Sequence, residues 1–125
     1  MAPIYHLTTR KEWKNALATG DYRTKDLDHE GFIHCSTLTQ LLPVAMHFFS
    51  HRRKISILVI EPTLLTSQLK WEVSDEPPPG VPAGEKFPHI YGPLNIDAVQ
   101  KVLDMEKNAD DMFVLPENLQ AVNIG

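Results

Sequence analysis

The chain has 125 residues and a mass of 14.2 kDa, enough for one domain with a real core but not for two. With 42% hydrophobic and 22% charged residues it has the make-up of a globular protein, and a net charge of −4 argues against a broad nucleic-acid clamp. Its single cysteine, Cys35, excludes an intrachain disulfide or a Cys-based zinc site and makes a reducing cytoplasm the default compartment.

The first residues show no basic stretch ahead of an apolar run, so no signal peptide is expected. Ile4 to Thr8 reads as a short strand. Thr9-Arg10-Lys11-Glu12 fits a capping box, and Trp13, Ala16 and Leu17 recur at helical spacing up to Gly20, which predicts a helix over 9–19. Asp21 to Glu30 is polar and reads as a connection with an extended piece at Tyr22-Arg23. Gly31 to Ser36 is β-like. Thr37 to Gln40 offers a second capping box, ahead of an apolar helix over 38–50 with Pro43 in its first turn.

Ile55 to Ile60 is the strongest strand, central and covered on both faces, and far too short to cross a bilayer, so no membrane partner is expected. Leu69 to Val73 alternates as a strand with one wet face. Asp75 to Gly84, rich in proline and glycine, is a loop. Phe87 to Tyr91 is extended. A helical turn over 95–98 followed by a strand from Val99 to Glu106 completes a single α+β domain over 1–107. Residues 108–125 form a C-terminal extension, packed on the domain or partly disordered, with a short strand at Met112–Leu115.

Three of the six histidines precede a hydroxyl by two residues inside an expected strand: His6/Thr8, His34/Ser36 and His89/Tyr91. Residues i and i+2 share a strand face, so each string sets an imidazole beside a hydroxyl. Together the pairs offer protonatable and neutral donors for phosphate or ribose oxygens. Glu72 and Glu85 are the candidate carboxylates. Trp71 could stack a base, and Arg23 could meet a phosphate. A rival reading uses His6, His34 and His89 as zinc ligands, with Glu72 or Glu85 as the fourth. Cys35 alternates away from His34 and Ser36 and reads as a core residue.

Ile4-Tyr5-His6-Leu7-Thr8, Gly31-Phe32-Ile33-His34-Cys35-Ser36-Thr37, Lys70-Trp71-Glu72 and Phe87-Pro88-His89-Ile90-Tyr91-Gly92-Pro93-Leu94, in that order, resemble the uncharacterised domain-of-unknown-function family 952 over about residues 3–106. The resemblance implies an ADP-ribosyltransferase-like fold, a split β structure with two main helices packed on mostly antiparallel strands around an NAD cleft. In such folds a Tyr-His-x-Thr-like string on the first strand contacts ribose, and Tyr5-His6-Leu7-Thr8 matches it. Ile33-His34-Cys35-Ser36 is similar to the RNA 2′-phosphotransferase branch. The late strand departs from that pattern, with Phe87-Pro88-His89-Ile90-Tyr91 where a catalytic glutamate is expected and Glu85 just upstream.

The expected function is binding of, or transfer on, NAD, ADP-ribose or a related phosphorylated nucleotide, with NAD as a substrate. His34, His89, Glu72 and Glu85 are the expected catalytic residues. His6, Thr8, Ser36, Tyr91, Trp71 and Arg23 are the expected ligand contacts, and no residue is assigned to a metal. The alternatives are a non-catalytic module for a small anion or a protein partner, and the histidine metal site. The sequence does not specify oligomeric state.

Overall fold

The computed structural model describes residues 2–119. Its first sheet holds β1 (Ile4–Thr8), β4 (Lys54–Ile60) and β8 (Val99–Glu106), with β4 in the centre and both pairings antiparallel. A second sheet holds β3 (Ile33–His34), β6 (Lys86–Tyr91) and β5 (Gln68–Val73), again antiparallel, with β6 central. The short strands β2 (Asp21–Tyr22) and β7 (Leu94–Asn95) pair with each other. A bridge between Tyr5 and Ser36 stitches the two main sheets together. The architecture is α+β with antiparallel sheets, as expected.

Period-two alternation assigns the two faces of the first sheet. Tyr5, Leu7, Ile55, Ile57 and Val59 point into one core cluster, closed by Leu41 and Ala45 of α3 (Leu41–Phe48). Ile4, Leu58 and Ile60 point into the other, closed by Trp13 and Ala16 of α1 (Arg10–Thr19) and by Ile33 and Ile90 of the second sheet. His6 and Thr8 lie on this second side, so the pleat aims them at the junction between the sheets.

Thr9 caps α1 by accepting from the Glu12 N–H at 3.2 Å, and Gly20 ends it in the left-handed conformation at φ 99°. Glu12 does not reach back to complete the box. Its carboxylate instead accepts from the Thr8 hydroxyl at 2.7 Å, because Thr8 is 2% exposed and its hydroxyl needs a partner. The second helical segment begins as a 3-10 turn at Leu38–Gln40 before becoming α3, with Gln40 Oε1 accepting from the Thr37 N–H.

The polar stretch read as a connection contains a helix, α2 (Lys25–Glu30), capped by Thr24 and ended by Gly31. Leu27 is its one apolar residue, so no hydrophobic periodicity announces it. Met112–Leu115 makes a single bridge, Phe113 to Lys107, instead of a strand. Phe113 and Leu119 are buried in the core on the α3 side. The part of the expected extension from 120 to 125 lies outside the described residues. Among those described, no helix is long and apolar enough to cross a membrane.

Candidate functional site

The three strands of the second sheet set the geometry. His34 of β3 faces His89 of β6 in register, and their rings lie 5.3 Å apart edge to face. Lys70 and Glu72 of β5 share this face with Phe87, His89 and Tyr91. One oxygen of Glu72 accepts from His89 Nδ1 at 2.9 Å and from the Tyr91 hydroxyl at 2.5 Å. A carboxylate can only accept, so Nδ1 carries the hydrogen in neutral His89. Nε2 is then a lone pair with no partner among the described residues, on a ring that lines a cleft of about 700 Å³.

The electrostatics agree with this division of roles. The hydrogen bonds from Tyr91 and His89 hold the Glu72 carboxyl below its usual range. The same bond to Glu72 pushes the Tyr91 phenol up. Burial lowers His89, and Glu72 offsets part of that shift. Phe32 covers the cluster, stacked on His89 at 4.1 Å and tilted against Tyr91 at 5.2 Å.

His6 is held differently. Its Nδ1 lies 2.6 Å from the His34 carbonyl and its Nε2 2.9 Å from the Tyr22 hydroxyl. Tyr22 lies 2.8 Å from Thr8, and Thr8 donates to Glu12 at 2.7 Å. With Glu12 ionised the donor directions are forced. Thr8 gives its hydrogen to Glu12, Tyr22 gives its own to Thr8, and His6 donates from both nitrogens. These four bonds need four hydrogens, whereas a neutral imidazole, a phenol and a threonine supply three. The chain closes completely with one further proton, carried by His6 or, with both hydroxyls reversed, by Glu12. Burial presses His6 toward its neutral form, while the His34 carbonyl and Glu12 pull the other way.

All three strand histidines therefore meet around one cleft, and two of the His-x-hydroxyl pairs share a bridging group, Tyr22 for the first and Glu72 for the third. Ser36 lines the same cleft, 4% exposed, and its backbone pairs with Tyr5. Trp71 does not face it. Strand alternation puts Trp71 on the other side of β5, 41% exposed beside Pro88. Glu85 is turned toward Gln40, which donates to it at 3.2 Å, and is not among the cleft residues. Arg23 lines a neighbouring groove of about 630 Å³ with Lys25, His51 and Arg52, and the two grooves meet at His6.

Burial holds the Cys35 thiol far above its usual range, which suits the core role expected of it. The zinc reading built on His6, His34 and His89 does not fit these positions, because both His6 nitrogens are engaged. Among the described residues, the group whose donor atoms converge within 4.8 Å is Asp26, Glu30 and His34. Tyr22, Phe32, Glu12, Asp26 and Glu30 are the site residues that sequence reasoning missed. The helix signature of Thr24, the acidic first turn at Asp26 and Asp28, and Gly31 was the signal for two of them.

The model of a family described as protein of unknown function (DUF952) matches residues 7–102, most of the chain. The chain belongs to the DUF952 family. This DUF952 domain is similar to the crystal structure of protein CC0527 from Caulobacter crescentus, at 31% identity and a TM-score of 0.80, over 95% of this chain and 99% of that one. The solution structure of CC0527 matches at 30% identity and a TM-score of 0.73 over the whole of both chains. No curated protein matches this DUF952 chain.

Proposed function

We propose that the joined grooves bind a phosphorylated nucleotide of the NAD or ADP-ribose class, in the manner of an ADP-ribosyltransferase-like cleft, and act on it by proton transfer at His89. The observation that carries this reading is that the cationic side chains lie on one side of His6 only. Arg23, Lys25 and Arg52 line one groove, interleaved with Glu12, Asp21 and Asp26, and supply donors for phosphates. The other groove, lined by His34 and His89 with no lysine or arginine, suits a sugar or a cationic ring under Phe32. His89 presents an imidazole lone pair oriented by Glu72, which supports a role as the base for a ribose hydroxyl. NAD fits this layout as a substrate, its pyrophosphate toward Arg23 and Arg52 and its pyridinium toward the carboxylate-rimmed side.

Isothermal titration calorimetry of the full chain with NAD, ADP-ribose and 2′-phosphorylated nucleotides tests it. The expected result is a Kd below about 1 mM for at least one of them, weakened at least tenfold by the double variant R23A/R52A. No binding by any of the three, or binding indifferent to R23A/R52A, overturns it.

A further inference from the structure

We propose that Asp26, Glu30 and His34 form a binding site for a first-row divalent cation of the manganese or zinc type at the mouth of the cleft. Asp26 and Glu30 stand one turn apart on α2, and His34 follows on β3 after the Gly31 turn. His34 Nε2 lies 2.9 Å from Glu30 Oε2 and 3.8 Å from Asp26 Oδ2, and all three donor atoms fall within 4.8 Å of one another. Ligands about 2.0–2.2 Å from a tetrahedral or octahedral ion stand about 3.0–3.5 Å apart, so a small side-chain adjustment brings these atoms onto one ion.

Three further observations point to a cation. Among the described residues, the only ion-pair partner of either carboxylate is His34, so no lysine or arginine neutralises two like charges held one helical turn apart. The cleft behind them adds Asp75 and Glu76 and contains no lysine or arginine. The imidazole is also held in place, its ring against Phe32 at 4.7 Å and against His89 at 5.3 Å. That packing pre-orients Nε2 toward the carboxylates.

One imidazole with two carboxylates suits manganese or zinc better than a purely oxygen-seeking ion, and the exposed position leaves room for water in the remaining places. A bound ion takes the Nε2 position that now faces Glu30, with the ring hydrogen carried on Nδ1. The site does not depend on the nucleotide reading, because the ion binds without any nucleotide.

Titrate the full metal-stripped chain with MnCl2 and with ZnCl2, reading free Mn(II) by electron paramagnetic resonance and zinc by calorimetry. One ion per chain is expected, with affinity falling at least tenfold in D26N, E30Q and H34A. Circular dichroism checks that each variant is folded, and its surface position makes folding the expected outcome. Paramagnetic broadening by Mn(II) adds a readout on the wild type alone, strongest at residues 26–34. No saturable binding, or affinity unchanged in H34A or in the two carboxylate variants, overturns the proposal.

Discussion

His6 and His89 come from the same kind of string, an imidazole two residues before a hydroxyl, yet the fold uses them in opposite ways. Both ring nitrogens of His6 are engaged, one on the β3 backbone and one on Tyr22, so it ties β1, β2 and β3 together at the seam between the sheets. His89 has one nitrogen fixed by Glu72 and one left to the cleft. Its orientation is set and its chemistry stays open. The motif alone therefore does not separate a fastening from a reactive group. The partner of the second nitrogen does.

Substitutions can break or sharpen that contrast. The largest effect is expected from His6→Ala, which empties a buried site and strips partners from Tyr22 and the His34 carbonyl. Urea unfolding should show a loss of about 2–4 kcal/mol. Tyr22→Phe keeps the ring but leaves His6 Nε2 and Thr8 without their shared hydroxyl, and about 1–2 kcal/mol should go. His89→Gln should cost about 1 kcal/mol but abolish nucleotide binding in calorimetry. A stability loss at His89 matching that at His6 would erase the distinction.

His34→Ala acts on a half-exposed side chain, so stability should stay within about 0.5 kcal/mol. Arg10→Ala should also do little at neutral pH, under about 0.5 kcal/mol, as expected for an exposed pair. Arg10 fastens α1, the helix that carries Glu12, to β8 through both oxygens of Asp104. The guanidinium holds the Asp104 carboxyl below its usual range. Its contribution is therefore complete above the ordinary carboxylate range and is lost as pH falls through the lowered value. Wild type and R10A should differ near pH 7 and converge under acid, as thermal melts across pH can show.

The strands were legible because their alternation and β-branched runs survive into the fold, Ile55 to Ile60 most plainly. The turn at Ile96–Ala98 followed by β8 also stands as read. The meeting of the three histidines was legible only as a pattern of pairs, since nothing local says that β3 will lie against both β1 and β6. Tyr22 was invisible as a site residue because its role depends on a partner from another strand. Asp26 and Glu30 were hidden because α2 buries almost nothing and so leaves no periodic trace. Trp71 was misleading for the opposite reason. A large aromatic invites a role, and strand parity turns it away from the cleft.

β4 sits between β1 and β8, and neither neighbour is joined to it by a hairpin. Thr8 must find Ser56, and Ile60 must find Val99, across long intervening stretches of chain. Closing such loops costs entropy before any pairing returns it, so folding should be slow for a chain of this size, as stopped-flow refolding can measure. During synthesis, one edge of β4, the most apolar strand among the described residues, stays unpaired until β8 emerges. That interval is when this chain is most exposed to joining another copy of itself.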